Sequence, residues 1–185
     1  MKNKISFSGL ILMAAVMLMA SCSSQYGKKV REPFTGSKYE SNNRWFRATG
    51  KGVSSKDNIA RSKADLDAKT VLGGQVSTTM KQVADQYLGQ TENEAARDVA
   101  DKFQSLARQV MNTDMADLRK IGEKKFYDAK SKEYTVFIAY EIRKNAMFRF
   151  MKRQAKVDAS LTERQRELIE RIIDEELAKL DDDDN

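Results

Sequence analysis

The spacing of apolar residues along this chain changes several times, and each change predicts an element boundary. From Arg44 to Val53 the side chains alternate: Trp45, Arg47, Thr49, Lys51 and Val53 on one side, Phe46, Ala48, Gly50 and Gly52 on the other. Alternation predicts a strand. Its second side is small apart from Phe46, which suits the close approach of a helix. Ser54 or Ser55 then offers a helix N-cap.

Past these serines the period becomes helical. Ile59/Ala60, Ala64, Ala68, Val71/Leu72, Val76, Met80, Val83/Ala84 and Tyr87/Leu88 predict the longest helix, with Lys56, Arg61, Asp65, Lys69 and Lys81 turned outward. Gly73 and Gly74 interrupt it, each at a cost of about 1 kcal/mol relative to alanine. They predict a kink or contact with another backbone. Gly89 closes the helix, and Thr91-Glu92-Asn93-Glu94 reads as a capping box opening the next one. Ala95/Ala96, Val99/Ala100, Phe103, Leu106/Ala107 and Val110/Met111 give that helix its buried stripe. The two helices are expected to form an antiparallel hairpin.

From about Ala116 the period returns to two. Leu118 to Tyr127 and Glu133 to Arg143 flank a polar loop, Asp128 to Lys132, and predict a β-hairpin. Tyr134, Val136, Ile138, Tyr140 and Ile142 share one face of its second strand, with Thr135, Phe137 and Ala139 on the other. Such a strand is expected to be covered on both sides. Asn145 to Lys156 reads as helical. Ser160-Leu161-Thr162-Glu163 reads as a capping box before a last helix carrying Leu168/Ile169, Ile172/Ile173, Leu177 and Leu180. The sum is an α+β fold: a strand, a helical hairpin and a β-hairpin forming a small antiparallel sheet packed by helices, with further helices over 144–180. No internal repeat is visible.

Trp45-Phe46-Arg47-Ala48-Thr49-Gly50-Lys51-Gly52, followed by Ala60, Lys63-Ala64, Asp67-Ala68 and Leu72, resembles the LPP-twenty family of bacterial outer-membrane lipoproteins. That family carries a strand ending in a glycine-rich run, then a helix with alanines every four residues. The hairpin from Glu123-Lys124-Lys125-Phe126-Tyr127 to Tyr134-Thr135-Val136-Phe137-Ile138-Ala139 is similar to the family's later hairpin. The resemblance covers residues 44–143. It implies an α+β fold and an outer-membrane anchor, and brings no catalytic residues.

The start of the chain bears on location. Lys2 and Lys4 precede a nearly uncharged run from Ile5 to Ala20, and small residues stand just before Cys22. This is the layout of a secretory signal over 1–21, and its apolar run is shorter than the roughly 20 residues of a spanning helix. Leu18-Met19-Ala20-Ser21-Cys22 resembles the bacterial lipobox, with Met19 where a leucine-like residue is usual. Acylation of Cys22, the single cysteine, is therefore expected, and multiple acyl chains give stable anchoring. Ser23 to Asn43, with Gly27, Pro33 and Gly36, reads as a flexible tether, its Lys28, Lys29 and Arg31 close to the anchor. Tyr26, Phe34 or Tyr39 offer points at which the tether orders against the domain. Ser23, where an aspartate signals inner-membrane retention in some bacteria, and the family resemblance favour an outer-membrane anchor on the periplasmic face. The cell surface is the alternative.

Composition narrows the chemistry. The full chain carries 33 basic and 27 acidic residues, a net +6, and contains no histidine. Removing 1–21 leaves 164 residues and a net +4. A charge so mild and so interspersed does not indicate nucleic acid. Without histidine, and with the single thiol acylated, neither a Ser-His or Cys-His nucleophile pair nor an ordinary zinc site can be built. No enzyme activity, cofactor or metal is expected.

Three surface features remain. On a helix Ala146, Met147, Phe150 and Met151 fall on one side and Arg149, Lys152, Arg153 and Lys156 gather opposite, so Arg149, Lys152 and Arg153 are candidates for contact with an anionic membrane or a partner. A Met/Phe stripe packed on the sheet is the competing reading. Arg44 and Arg47, flanking Trp45, are placed to grip an anionic ligand or to face water. The acidic tail over 181–185 reads as solvated rather than as a cation site. The expected protein is a lipid-anchored, non-enzymatic envelope component that binds another protein. A module for an anionic glycan or lipid head group is the alternative.

Overall fold

A computed structural model describes residues 30–90, 94–113 and 117–182. The chain divides into two units, Met1–Glu32 and Pro33–Asn185. Of the first, only residues 30–32 are described, and they form no helix or strand. Cys22, Tyr26, Lys28, Lys29, the residues 91–93 of the expected capping box and the tail residues 183–185 lie outside the described residues.

The second unit contains β1 (Trp45–Ser54), α1 (Asp57–Gln90), α2 (Glu94–Thr113), β2 (Arg119–Asp128), β3 (Glu133–Arg143), α3 (Lys144–Val157) and α4 (Glu163–Asp182). The strands form an antiparallel sheet in the order β1-β3-β2, so this is an α+β fold. Trp45 pairs with Arg143 and Ser54 with Tyr134 across β1 and β3. Between β2 and β3 the register shifts once, at Lys120/Gly122.

The inner face of β1 is the side predicted to be small, and α1 lies directly on it. A Cβ built on Gly50 falls 2.2 Å from the Ala68 nitrogen and 2.3 Å from the Ala64 carbonyl oxygen. At Gly52 the corresponding distances are 2.1 Å to the Ala60 oxygen and 2.5 Å to the Ala64 nitrogen. Strand and helix thus meet backbone to backbone. The stripe on α1 recurs every four residues through the buried Ala60, Ala64, Ala68, Leu72, Val76, Met80 and Ala84. Four residues exceed one helical turn, so each step turns the stripe by roughly 40°. Ala60, Ala64 and Ala68 meet the sheet, and Leu72, Val76, Met80 and Ala84 belong to the main core with α2.

Of the kink or backbone contact expected at Gly73-Gly74, the backbone contact is found at Gly50 and Gly52 on the strand instead. α1 continues through both glycines; a Cβ on Gly74 would meet nothing within 4 Å, and one on Gly73 only the Met111 methyl at 3.9 Å. Gly73 borders an apolar cleft where Val76 and Met80 face Ala107 and Met111. The approach of Gly73 to Met111 and the short connection from Gln90 to Glu94 fit the expected antiparallel hairpin.

The main core joins Phe46, Ala48 and Ile142 of the sheet to Phe103 and Leu106 of α2, Met147, Phe148 and Met151 of α3, and Ile169 and Ile173 of α4. The C-terminal helices are thus part of the same core as the sheet. Thr162 and Gln165 form the reciprocal cap of α4: the Thr162 N–H donates to Gln165 Oε1 at 2.7 Å, and the Gln165 N–H to Thr162 Oγ1 at 3.3 Å. The capping box expected at Ser160/Glu163 sits two residues later, because Ser160 belongs to the preceding turn, where its N–H donates to Asp158 Oδ1. The hydrogen bonds from Ser160 hold the Asp158 carboxyl below its ordinary pKa. Ser54 Oγ accepts the Lys56 N–H at 3.3 Å, just ahead of α1.

Candidate functional site

The residues predicted to be tether up to Asn43 are structured from Pro33 onward. Gly36 takes a positive φ of 91° before a short 3-10 helix, Ser37–Tyr39. Phe34 packs on Tyr39 at 5.1 Å between ring centroids and lies over Gly122, where a Cβ would fall 2.4 Å from its ring. The Phe34 carbonyl accepts a hydrogen bond from Thr49 Oγ1 at 3.2 Å. This segment covers part of the sheet's outer face. Phe137 and Ala139 of β3, opposite Lys51 and Thr49 of β1, are buried on that face. The sequence signal for Phe34 was an aromatic residue in a polar stretch beside a glycine turn.

The outer edge of β1 is closed by side chains. Ser41 Oγ accepts the Arg47 N–H, its single proton lying between Gln75 Oε1 at 2.6 Å and the Arg47 carbonyl at 3.2 Å, and Asn42 Oδ1 accepts the N–H groups of Arg44 and Trp45. Further along, Asp67 of α1 accepts the Lys51 N–H and Lys63 donates to the Val53 carbonyl. Among the described residues no equivalent set of caps lies along the outer edge of β2. That strand is largely exposed, and Phe126 and Tyr127 stand about half exposed near its end.

At the start of β1, the half-buried Trp45 is ringed by arginines from three strands. The guanidinium carbons of Arg47, Arg119 and Arg143 lie 5.4, 4.7 and 5.1 Å from its ring centroid. Guanidinium stacks on an indole face by attraction to its negative quadrupole. The register makes this cluster, since Trp45 is opposite Arg143 and Arg119 opposite Glu141. Glu141 is buried between two of them: Arg47 Nε donates to its Oε2 and Arg119 Nη2 to its Oε1, each at 3.0 Å. Arg47 is therefore committed to an internal ion pair rather than to water or a ligand.

The three predicted contact residues separate. Lys152 donates to both carboxylate oxygens of Asp174 on α4, at 2.6 and 2.7 Å, so it ties α3 to α4. The helical wheel placed it with the arginines, but the packing of α4 claims it. Arg149 and Arg153 stay exposed and share an open groove with Arg143, Asn145, Ala146 and Asp117. A neighbouring hollow is lined by Arg44, Trp45, Arg143, Asn145 and Leu180. Arg143 belongs to both. Of the predicted apolar stripe Met147 and Met151 are buried in the core, whereas Ala146 lines the arginine groove and the half-buried Phe150 has the Arg153 guanidinium 5.2 Å from its ring.

One polar tie links helix and sheet. Tyr140 Oη donates to Asp65 Oδ1 at 2.6 Å, and Lys69 holds the other oxygen at 2.8 Å. Burial alone raises the Asp65 pKa, but these hydrogen bonds and the charges of Lys69 and Lys120 outweigh it and bring it below the ordinary value. Burial and the Asp65 carboxylate push Tyr140 from 10.0 up to about 12. The stability carried by the neutral phenol is complete below pH 10 and lost as pH rises through about 12. Tyr140→Phe lacks this component, so its urea midpoint is expected to fall less than the wild type's between pH 10 and about 12. Equal falls in both proteins refute the assignment.

Among the described residues no helix is long and apolar enough to cross a membrane, and no group of three or more His, Cys, Asp or Glu is placed to hold a metal ion. No protein-family model, curated protein or solved structure matches the chain.

Proposed function

We propose that this chain is a lipid-anchored, non-enzymatic component of the bacterial cell envelope that binds another envelope protein in a structural or assembly role. Acylated Cys22 attaches it to the outer membrane, with the domain facing the periplasm. The lipobox-like run ending at Cys22 and the resemblance of residues 44–143 to LPP-twenty lipoproteins support the location. The observation that carries the binding role is the asymmetry of the sheet. The β1 edge is closed by Ser41, Asn42, Asp67 and Lys63, whereas β2 presents an exposed edge with Phe126 and Tyr127 beside it. An extended segment of a partner can add to such an edge through main-chain hydrogen bonds.

Photo-crosslinking in intact cells tests this. A crosslinking residue at Phe126 is expected to give one discrete protein adduct, lost in Cys22→Ala, whereas one at the exposed Leu66 of α1 gives none. Absence of an adduct at Phe126 refutes the partner role. Radiolabelled palmitate still incorporated into Cys22→Ala refutes the anchor.

A second reading, binding of an anionic glycan or lipid head group, is favoured by one observation. The exposed Arg143, Arg149 and Arg153 share a groove beside the ion-paired Arg47–Glu141–Arg119 cluster, whose two guanidiniums and one carboxylate keep it net positive.

A further inference from the structure

The arginine groove carries a more specific assignment, one that rests on the anionic-ligand reading. Arg143 ends β3, and Arg149 and Arg153 follow on α3 one turn apart. Among the described residues, none of these three guanidiniums lies within ion-pair distance of a carboxylate, although Asp117 also lines the groove. The neighbouring cluster calibrates what one carboxylate can satisfy here: Glu141 takes two guanidiniums, one on each oxygen. Three further forks call for a ligand with more oxygens and more charge. A phosphate monoester supplies three terminal oxygens and a charge of about −1.5 to −2 near neutral pH. Planar, permanently charged guanidinium suits it geometrically, and two parallel N–H groups on one fork bind two oxygens at once.

We infer that the groove at the β3–α3 junction binds a phosphate group. Arg143, Arg149 and Arg153 are its charged ligands, with Asn145 as a neutral donor beside them. Trp45 is a positioning residue: its ring holds Arg143 at 5.1 Å and so fixes one wall of the site. Asp117 opposes the ligand's charge and limits affinity to ligands carrying more than one negative charge. The phosphate belongs to a membrane lipid, to a phosphorylated envelope glycan, or is free.

Trp45 is the single tryptophan of the chain, so its emission reports on the site without labelling. In full-length protein held in non-ionic detergent, inorganic phosphate at constant ionic strength is expected to change that emission saturably, and acetate is not. Arg149→Gln combined with Arg153→Gln is expected to weaken phosphate binding about tenfold or more, since two charge-assisted contacts are lost. Neither residue is among the guanidiniums stacked on Trp45, so the ligand-free emission should stay that of the wild type, which also verifies folding. Lys152→Gln leaves phosphate affinity unchanged, because Lys152 is paired with Asp174. In Cys22→Ala protein, competition by phosphatidic acid vesicles identifies a lipid source, and its absence with retained phosphate binding identifies a soluble or glycan phosphate. An equal response to acetate, an unweakened response in the double variant, or tighter binding of hexa-aspartate than of phosphate overturns the assignment. The titration does not use the anchor or the β2 edge, so its failure leaves the assembly role standing, and loss of that role leaves the groove standing.

Discussion

Gly50→Ala is expected to destabilise the protein by about 3 kcal/mol or more, at the upper end of what overpacking costs. The added methyl would lie 2.2 Å from the Ala68 nitrogen and 2.3 Å from the Ala64 oxygen, and both are backbone atoms. A side chain could rotate out of the way; a helix cannot. α1 would have to lift from β1, loosening Ala60, Ala64, Val136 and Ile138, which pack together at that end of the sheet. Gly74→Ala provides the opposite sign in the same protein. Its new methyl meets nothing within 4 Å and lies inside a helix, so a gain of about 0.5–1 kcal/mol is expected from helix propensity. Urea unfolding at unchanged slope measures both. A Gly50→Ala protein within about 0.5 kcal/mol of wild type would be incompatible with the described backbone contact.

Glu141→Ala is expected to cost about 2–4 kcal/mol, somewhat below the range for fully buried pairs because Arg119 is partly exposed. Glu141 and Arg47 are 11% and 14% exposed at their side chains, so removing the carboxylate leaves Arg47 with little solvent. What remains to it is the Trp45 ring and a 3.4 Å hydrogen bond to the Glu40 carbonyl. Arg119, at 47% exposure, recovers hydration more easily. Replacing Arg47 by leucine in the Glu141→Ala background is therefore expected to restore part of the loss, because the uncompensated charge goes with it. Additive losses in the double variant, read from the same unfolding curves, would show that the pair is screened by solvent and not internally coupled.

Local periodicity made most elements legible. Alternation at Trp45–Val53, the i,i+4 alanines and the hairpin around Asp128–Lys132 gave the strand, the helix and the sheet class, because each depends on near neighbours along the chain. The small residues at Gly50 and Gly52 even indicated that a helix comes close. Elsewhere the same reasoning misassigned what each small or charged residue faces. Gly73-Gly74 reads as a kink or a contact with another backbone, yet the helix runs through both and no backbone of another element comes within 4 Å of a Cβ added at either. Lys152 shared a helical face with Arg149 and Arg153, yet Asp174 from α4 takes it. Within the tether expected over Ser23 to Asn43, Phe34 does order against the sheet as its aromatic side chain suggests, but nothing in the spacing singles out Ser41 and Asn42, which cap the edge of β1.

By itself the sequence determined the α+β class, the narrow face on which α1 lies and the sole thiol at Cys22, since these follow from residue type and spacing alone. Only the tertiary structure decided the rest. Antiparallel register set Trp45 against Arg143 and Arg119 against Glu141, and β3 brought Glu141 between Arg47 and Arg119, from the two outer strands of the sheet. The packing of α4 then sorted the remaining cations into paired and available ones. Charge neutralisation acts through space, so which arginines are left for a ligand is set by the fold and not by their order in the chain.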